Sequence, residues 1–386
     1  MKQRLIVLLC ALGVVPFAFA TRYIDQARAY AACPDMSELC MSEHLAVVAN
    51  EEGVTHMLGL ARLLATHIPE FRVQCASAVR RIGTTHAQGD HKTREWGPSA
   101  AVCNYGFVHG IARELSSAGR IEDAVVFCEE LNDEAAGIVP DIRAECVRGI
   151  GSGFTHRPGI FPGDAPAIAE SGISLCKDSS VDERAYLLCI SGVFNALGFD
   201  MVYGRNGLSV DPDDPLFACR QFADAERTRC EGNMKWAAIA VISDEKGIPP
   251  SVEDGYAAAK NRYAEDLVLQ LVRTLAYDSA RAGTPAKEML DVCAALPPAA
   301  QGSCATGSAL GLAKHGIPGR EHASVVGFCR ESAELLGVSI RECLRDPIAY
   351  LQGALHPLVM NRICTALDRS FSFTCVRDEW KSIGGA

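Results

Sequence analysis

Residues 125–153, VVFCEELNDEAAGIVPDIRAECVRGIGSG, hold the pattern on which the reading of the chain turns. The apolar run Val125-Val126-Phe127 leads into Cys128, and Cys146 opens a second run in which Gly149 and Gly153 follow at offsets of three and seven. The arrangement recurs. Ile173-Ser174-Leu175 precede Cys176, Leu216-Phe217-Ala218 precede Cys219, and Val325-Val326-Gly327-Phe328 precede Cys329. Cys103, Gly106, Gly110 and Cys304, Gly307, Gly311 repeat the C-x2-G-x3-G of Cys146; Cys189 keeps only Gly192, and Cys75 and Cys343 depart from the pattern. Each unit reads as a helix A that ends in a cysteine, a short connection, and a helix B that starts with one.

From Cys103 onward the gaps between successive cysteines are 24, 17, 29, 12, 29, 10, 62, 10, 24, 13, 20 and 10 residues. Long and short gaps alternate, and a period of about 40 residues is the length of a two-helix repeat. Ala and Leu abound, aromatics are only 7% of the chain, and Val/Ile/Thr alternation is rare, which favours helix over sheet. The expected class is therefore all-α: disulfide-stapled helical-hairpin repeats forming an α-solenoid. Residues 1–20 read as a signal peptide, 21–32 as an N-terminal spacer, and 33–386 as one continuous array. The cysteine-free 62-residue gap still looks helical, because Tyr263, Leu267, Leu271 and Leu275 recur every four residues with Val268 and Val272 beside them. Pro249-Pro250 and Gly283-Thr284-Pro285 bracket that stripe; 157–166, 204–215 and Pro297-Pro298 read as further loops.

Glycine in a helix interior is about 1 kcal/mol worse than alanine, so its repeated placement needs a reason. Residues three and four apart share one helix face, and small residues there let a neighbouring helix approach closely. A phosphate-cradling loop is the other reading, but no strand precedes these glycines and no Gly-Lys-Ser/Thr follows.

In stacked antiparallel hairpins, pairing across the short gap or across the long gap are both geometrically allowed. The 62-residue gap decides between them. Losing a short-paired staple removes both partners of one unit, whereas long pairing would require Cys230 to reach Cys293 across a whole unit. The expected bridges are Cys128–Cys146, Cys176–Cys189, Cys219–Cys230, Cys293–Cys304, Cys329–Cys343 and Cys364–Cys375. Spacing leaves the partners of Cys33, Cys40, Cys75 and Cys103 open; Cys33–Cys40 and Cys75–Cys103 is the assignment adopted.

Disulfides need an oxidising compartment, and the N-terminus supplies an address. Lys2 and Arg4 precede the unbroken apolar or small stretch Leu5–Ala20, which ends in the cleavable Ala18-Phe19-Ala20. Sixteen residues is short for a bilayer span, which needs about 20, although an uncleaved anchor is the alternative. No later stretch is long and apolar enough to cross a membrane. Cys10 lies inside the apolar run, leaving sixteen of the 17 cysteines for pairing. Cleavage leaves 35 basic against 47 acidic residues, a charge of −12, which argues against nucleic acid or anionic membranes as partners held by bulk charge. Absence of Cys-x-x-Cys excludes thioredoxin-like redox chemistry, haem attachment and common zinc knuckles.

Five of the ten histidines, His86, His109, His156, His315 and His356, fall within or just after a helix B, at unequal offsets from its cysteine. Their expected role is capping, a partly charged imidazole meeting a helix C-terminus; His109 is the exception, mid-helix beside Gly110. The best local metal candidate is His86, Asp90 and His91, with His109 as an outlying fourth, and zinc or copper the chemistry. His86 and Asp90 share a face only if the helix continues through Gly89. Asp211, Asp213 and Asp214 lack the glycine and closing glutamate of a calcium loop and read as a solvated turn. No Gly-x-Ser-x-Gly, no His-Glu-x-x-His and no Ser-x-x-Lys set of the penicillin-binding kind is present. Trp96, Trp236 and Trp380 are far apart and suggest no aromatic platform.

At Cys103-Asn104-Tyr105-Gly106-Phe107-Val108-His109-Gly110 the chain resembles a group of exported bacterial proteins carrying C-x-x-G-[FY]-x-H-G in cysteine-rich helical repeats. In that group a segment rich in Cys-His and Ala-His precedes the motif. The corresponding place here, Cys75-Ala76-Ser77-Ala78-Val79-Arg80-Arg81-Ile82-Gly83, keeps the cysteine and the Ile-Gly but lacks the histidines. The resemblance therefore implies the fold and export, and transfers no activity.

Three functions follow as expectations. The first is an exported, non-enzymatic binding or scaffold protein of the periplasm or cell surface, with protein partners docked on the extended surface that such arrays present and no cofactor. The second is a metal-handling protein using His86, Asp90 and His91. The third is a hydrolase with an unrecognised site. Peptide mapping of the unreduced protein should recover the six short-range bridges above; free thiols throughout, or bridges joining distant units, would contradict this reading.

Overall fold

A computed structural model describes residues 29–354 apart from 30, 88–95, 97, 98, 101, 136–141, 158–162, 181, 244–248 and 317–320, together with Cys364. Among the described residues the chain is all-helical, without strands. Three helices open it: α1 (Glu38–Glu52), α2 (Val54–His67) and α3 (Pro69–His86). Then come α4 (Gly106–Ser117), α5 (Ile121–Ala135), α6 (Ile142–Phe154), α7 (Ala165–Ser179) and α8 (Glu183–Val202). After turns at Arg205–Gly207 and Phe217–Cys219 follow α9 (Asp224–Ile242), α10 (Val252–Ala259), α11 (Glu265–Arg281), α12 (Ala286–Ala295), α13 (Pro298–His315), α14 (Glu321–Leu336) and α15 (Ile340–Ala354).

Local chemistry sets many of the ends. Asp164 and Asp182 cap α7 and α8, accepting from the backbone N–H of Ala167 at 3.0 Å and Ala185 at 2.7 Å. Pro69 and Pro298 sit in first turns, where a missing N–H costs nothing. Gly283, at φ +90°, turns the chain after α11 into the Thr284-Pro285 stop. A second device fixes where a helix B leaves its connection. Three residues before the helix-B cysteine, Arg72, Arg227 and Gln301 donate to carbonyls of the segment just behind: Arg72 to Ala65 and Thr66, Arg227 to Arg220 and Phe222, Gln301 to Ala294 and Leu296.

The helices form two classes by what they touch. The second helices make one row: α3 packs on α4, α4 on α6, α6 on α8, α8 on α9, α9 more lightly on α11, α11 on α13, and α13 on α15. The first helices α5, α7, α10, α12 and α14 each pack on their own second helix. Apolar side chains between the classes make successive core clusters, carried by residues such as Phe107, Phe154 and Phe194, then Leu271 and Val272, then Phe328 and Leu344.

Glycine decides how closely the row packs. A Cβ on Gly106 or Gly110 would overlap the carbonyl oxygens of Ala76 and Arg80 on α3; one on Gly149 would lie 2.7 Å from the His109 oxygen on α4. Gly151 and Gly192 make the same approach reciprocally between α6 and α8, against the carbonyls of Cys189 and Arg148; Gly307 abuts the Arg273 carbonyl of α11. Backbone meets backbone here, with room only for Cα–H groups beside the neighbouring carbonyls.

Seven cysteine pairs stand at disulfide distance, with Cα–Cα separations of 5.3–5.7 Å: Cys33–Cys40, Cys75–Cys103, Cys128–Cys146, Cys176–Cys189, Cys219–Cys230, Cys293–Cys304 and Cys329–Cys343. Cys364 is also bonded, and Cys375 lies outside the described residues, as do the proposed signal and His356. Such bonding fits an oxidising, exported environment.

The structure corrects the hairpin scheme in three places. Cysteines do not end every A helix: Cys176 and Cys293 lie in the last turn of α7 and α12, but Cys128 lies mid-α5, and Cys219 sits in a short 3-10 turn rather than on a long helix. Cys103 does not open α4; it belongs with Asn104 and Tyr105 to a left-handed turn, φ +56°, +55° and +59°, and the helix begins at Gly106. Tyr105 is fully buried, and Cys103 bonds back to Cys75 on α3, so packing and a covalent tie hold three unfavourable conformations. Lastly, α8 is long and apolar enough to span a bilayer by composition, which the sequence reading passed over; 67% of its apolar window is buried, as in a core helix.

Replacing Gly110 or Gly192 with alanine should therefore destabilise the fold by about 1–3 kcal/mol, the usual range for overpacking. Gly232 on α9 has nothing within 4 Å of an added Cβ, so Gly232→Ala should stabilise by up to about 1 kcal/mol. Denaturant midpoints of the three variants check both signs.

Candidate functional site

The row of second helices carries a polar stripe, and the glycine register explains its position. In a helix, the residue three after a contact glycine lies on the adjoining face. In all three units that keep C-x2-G-x3-G, this residue is a base: Arg113 after Gly110, His156 after Gly153, Lys314 after Gly311. The residues whose carbonyls abut the next helix's glycines add Arg80, His109, Arg148 and Arg273.

Around α3, α4, α6 and α8 these groups form one network. Arg148 pairs with Glu145, and the Glu145 carboxylate stands 4.0 Å from His109 Nδ1. Arg113 Nη2 donates to His156 Nε2 at 2.7 Å; His156 Nδ1 lies 3.7 Å from Asp200 Oδ2, and Arg205 Nη1 lies 3.8 Å from Asp200 Oδ1. Asn206 Nδ2 donates to Asp200 at 3.5 Å. Arg80 Nε and Asp200 Oδ1 are buried without a hydrogen-bond partner among the described residues.

A second network joins α9, α11, α13 and α15. Tyr277 Oη is 2.6 Å from His315 Nε2, Arg273 pairs with Asp346, Arg281 Nε stands 2.8 Å from Asp278, and the Lys314 ammonium lies 5.1 Å from the Tyr350 ring centroid.

Burial and crowding of like charge set the protonation states. His109, 8% exposed, is held well below the usual imidazole range by burial and then by Arg80, Arg113 and Arg148. Burial, Arg113 and Arg205 bring His156 to about 4; burial, Lys314 and Arg281 bring His315 to about 3. All three imidazoles are neutral at pH 7. The hydrogen bond from Arg113 fits only an unprotonated Nε2 on His156, and burial raises the Tyr277 phenol, so Tyr277 and His315 share a hydrogen bond between neutral groups. This corrects the expected partly charged caps: His156 and His315 do lie at helix ends, but buried among cations. Lys235 falls to about 8 through burial, Arg273 and Lys314, while Asp200, 1% exposed, rises to about 6 through burial.

The metal candidates are not brought together on the described chain. The α3 helix stops at His86, whose ring packs on Phe107 and Trp96 with centroids 5.6 and 6.4 Å away; Asp90 and His91 lie outside the described residues. Among the described residues no three His, Cys, Asp or Glu side chains are placed to hold a metal ion. Asp211, Asp213 and Asp214 form a tight polar turn, with the Asp213 N–H donating to Asp211 Oδ1 at 2.9 Å. An aromatic strip absent from the sequence reading runs from Trp236 through Phe199 to Tyr203, with Arg205 over the last ring at 5.1 Å.

Asp200→Asn gives a sign test of this picture. Between its unfolded value of 3.8 and its folded value of about 6, Asp200 binds more proton in the native state, so its contribution to stability falls as pH rises through that window. The variant should match the parent near pH 4 and exceed it above pH 6, by on the order of 1–3 kcal/mol. Paired unfolding curves across that range check it.

Comparison with known protein families, curated proteins and solved structures yields no match to this chain.

Proposed function

We propose that the protein is an exported, non-enzymatic binding or scaffold protein of the periplasm or cell surface, built as a curved, disulfide-stapled solenoid of helical hairpins. The observation that carries the reading is the placement of Arg80, Arg113, Arg148, Arg273 and Lys314 on successive second helices of one row. Charged side chains held half-buried on a face that the core does not need have a ready role in binding, because desolvated charges reward a complementary partner. A curved array of this kind would set its second helices inside and its first helices outside. Repeat arrays present such inner faces to their ligands.

The test uses the full chain, expressed for export with its disulfides formed and captured with crosslinking from its own envelope extract. Parent protein should retain a defined companion that a variant carrying Arg113→Glu and Arg148→Glu loses while keeping its helical circular dichroism. Equal recovery by both proteins would remove the inner face from the binding role.

A further inference from the structure

We propose that a cleft between the α5–α6 and α7–α8 helix pairs binds a small aliphatic α-amino acid, its carboxylate on Arg143, its ammonium on Glu129 and its side chain against Val147, Ile150 and Ala185. The inference goes beyond the binding reading above and does not rest on it, since none of Arg80, Arg113, Arg148, Arg273 or Lys314 lines this cleft.

The walls of the cleft are held in place. Helix α5 supplies Val125 and Glu129, α6 supplies Arg143, Val147 and Ile150, and α8 supplies Ala185. Cys128 and Cys189, also in the wall, belong to the bridges that tie α5 to α6 and α7 to α8. Gly151 of α6 abuts the Cys189 carbonyl, and Gly192 of α8 abuts the Arg148 carbonyl, so the two pairs are locked together beside the cleft. Covalent ties on both sides and a backbone contact between them keep the cleft from closing on itself, which lowers the ordering cost of binding a small ligand.

Two opposite charges in the cleft go unanswered. Arg143 Nε is buried without a hydrogen-bond partner, and Arg143 has no ion pair among the described residues. A buried donor left without an acceptor costs about 1–3 kcal/mol, more where it is charged, and a carboxylate is the planar acceptor that matches a guanidinium. Glu129, exposed on the same cleft, is also without an ion pair among the described residues. The two side chains thus share one opening and are not joined to each other. A simple acid would answer Arg143 and be repelled by Glu129, and a simple amine would do the reverse. A zwitterion satisfies both.

Size narrows the ligand further. The cavity volume is about 20 Å³, and one water molecule needs about 10–15 Å³ on this measure. The closed part therefore admits one or two groups of that size, such as the oxygens of a carboxylate. The rest of the ligand stands in the open mouth, beside Glu129. Val147, Ile150 and Ala185 are buried and present only carbon from their side chains, which suits an aliphatic group of few atoms.

Saturation-transfer NMR on the purified full-length protein, disulfides intact, with L-alanine, propionate and ethylamine tests the proposal. Propionate lacks only the ammonium of alanine, and ethylamine only its carboxylate. L-Alanine should bind with a dissociation constant of about 1 mM or below, and each analogue at least about tenfold more weakly. Arg143→Gln should weaken L-alanine about tenfold or more. Glu129→Gln, at an exposed position, should weaken L-alanine while strengthening propionate, an exchange of preference that general damage to the fold would not produce. Arg220→Gln, which breaks an exposed pair with Asp214 and does not line the cleft, should leave L-alanine unchanged. A melting midpoint near the parent's qualifies each variant, and if Arg143→Gln fails to fold, Glu129→Gln decides. No saturation transfer to L-alanine at about 10 mM overturns the proposal, as does L-alanine binding indifferent to both substitutions. Propionate or ethylamine bound as tightly as L-alanine overturns the zwitterion assignment. The protein carrying Arg113→Glu and Arg148→Glu keeps the residues of the cleft and should still bind L-alanine, so failure here and failure of the envelope capture are distinguishable.

Discussion

Everything in this molecule depends on backbone touching backbone. Gly106, Gly110, Gly149, Gly151, Gly192 and Gly307 bring successive second helices so close that a methyl group at these positions would overlap a carbonyl. Such contacts bury little apolar area per residue, so the row cannot rely on large interdigitating side chains. What it gains is rigidity and a fixed register, since each glycine fits one carbonyl. The core proper lies behind the row, between second and first helices, and there the disulfides act. Each bridge from Cys128–Cys146 to Cys329–Cys343 ties a first helix, or at Cys219 a short 3-10 turn, to a second helix across 11 to 18 residues. In the chain-entropy model a closed loop of about 15 residues contributes roughly 3 kcal/mol, which is substantial for a short outer helix such as α12.

The same register generates the chemistry. Once a glycine must face the neighbouring helix, the residue three places later lies on the adjoining face, and there the chain puts Arg113, His156 and Lys314. Burial then does most of the rest, and crowding adds to it. Withdrawal from water, followed by repulsion from neighbouring cations, keeps the imidazoles neutral and pushes Lys235 down to about 8. Asp200 answers two guanidiniums, Arg205 and Arg113, yet remains hard to ionise, because its burial outweighs them.

Much of this was legible in the sequence, and the residues show why. Alternating cysteine gaps fix chain topology because a disulfide is a distance constraint, and the C-x2-G-x3-G offsets fix a helix face because 3.6 residues make a turn. Helix starts at Asp164, Asp182 and Pro298 carry their own local signals. The base three residues beyond the second glycine was equally visible, as was the Arg or Gln three residues before a helix-B cysteine at 72, 227 and 301. Both were missed because each reads as an ordinary exposed polar residue until the neighbouring helix is in place. The left-handed turn at Cys103–Tyr105 carried no local signal at all. Non-glycine residues adopt it only under tertiary compulsion, here from the burial of Tyr105 and the bond to Cys75. Histidine protonation was misjudged for a related reason: helix-end placement is a one-dimensional property, whereas desolvation and neighbouring guanidiniums belong to three other helices.

Clamps and charge belong to one design. Half-buried cations without full pairing destabilise a fold, and a protein held only by its core would have limited stability to spare for them. Here the covalent bridges and the glycine contacts act on different interfaces: the bridges fasten first helices and turns to second helices, while the glycines set second helix against second helix. The row therefore keeps its register even where buried charged groups such as Asp200 weaken the fold.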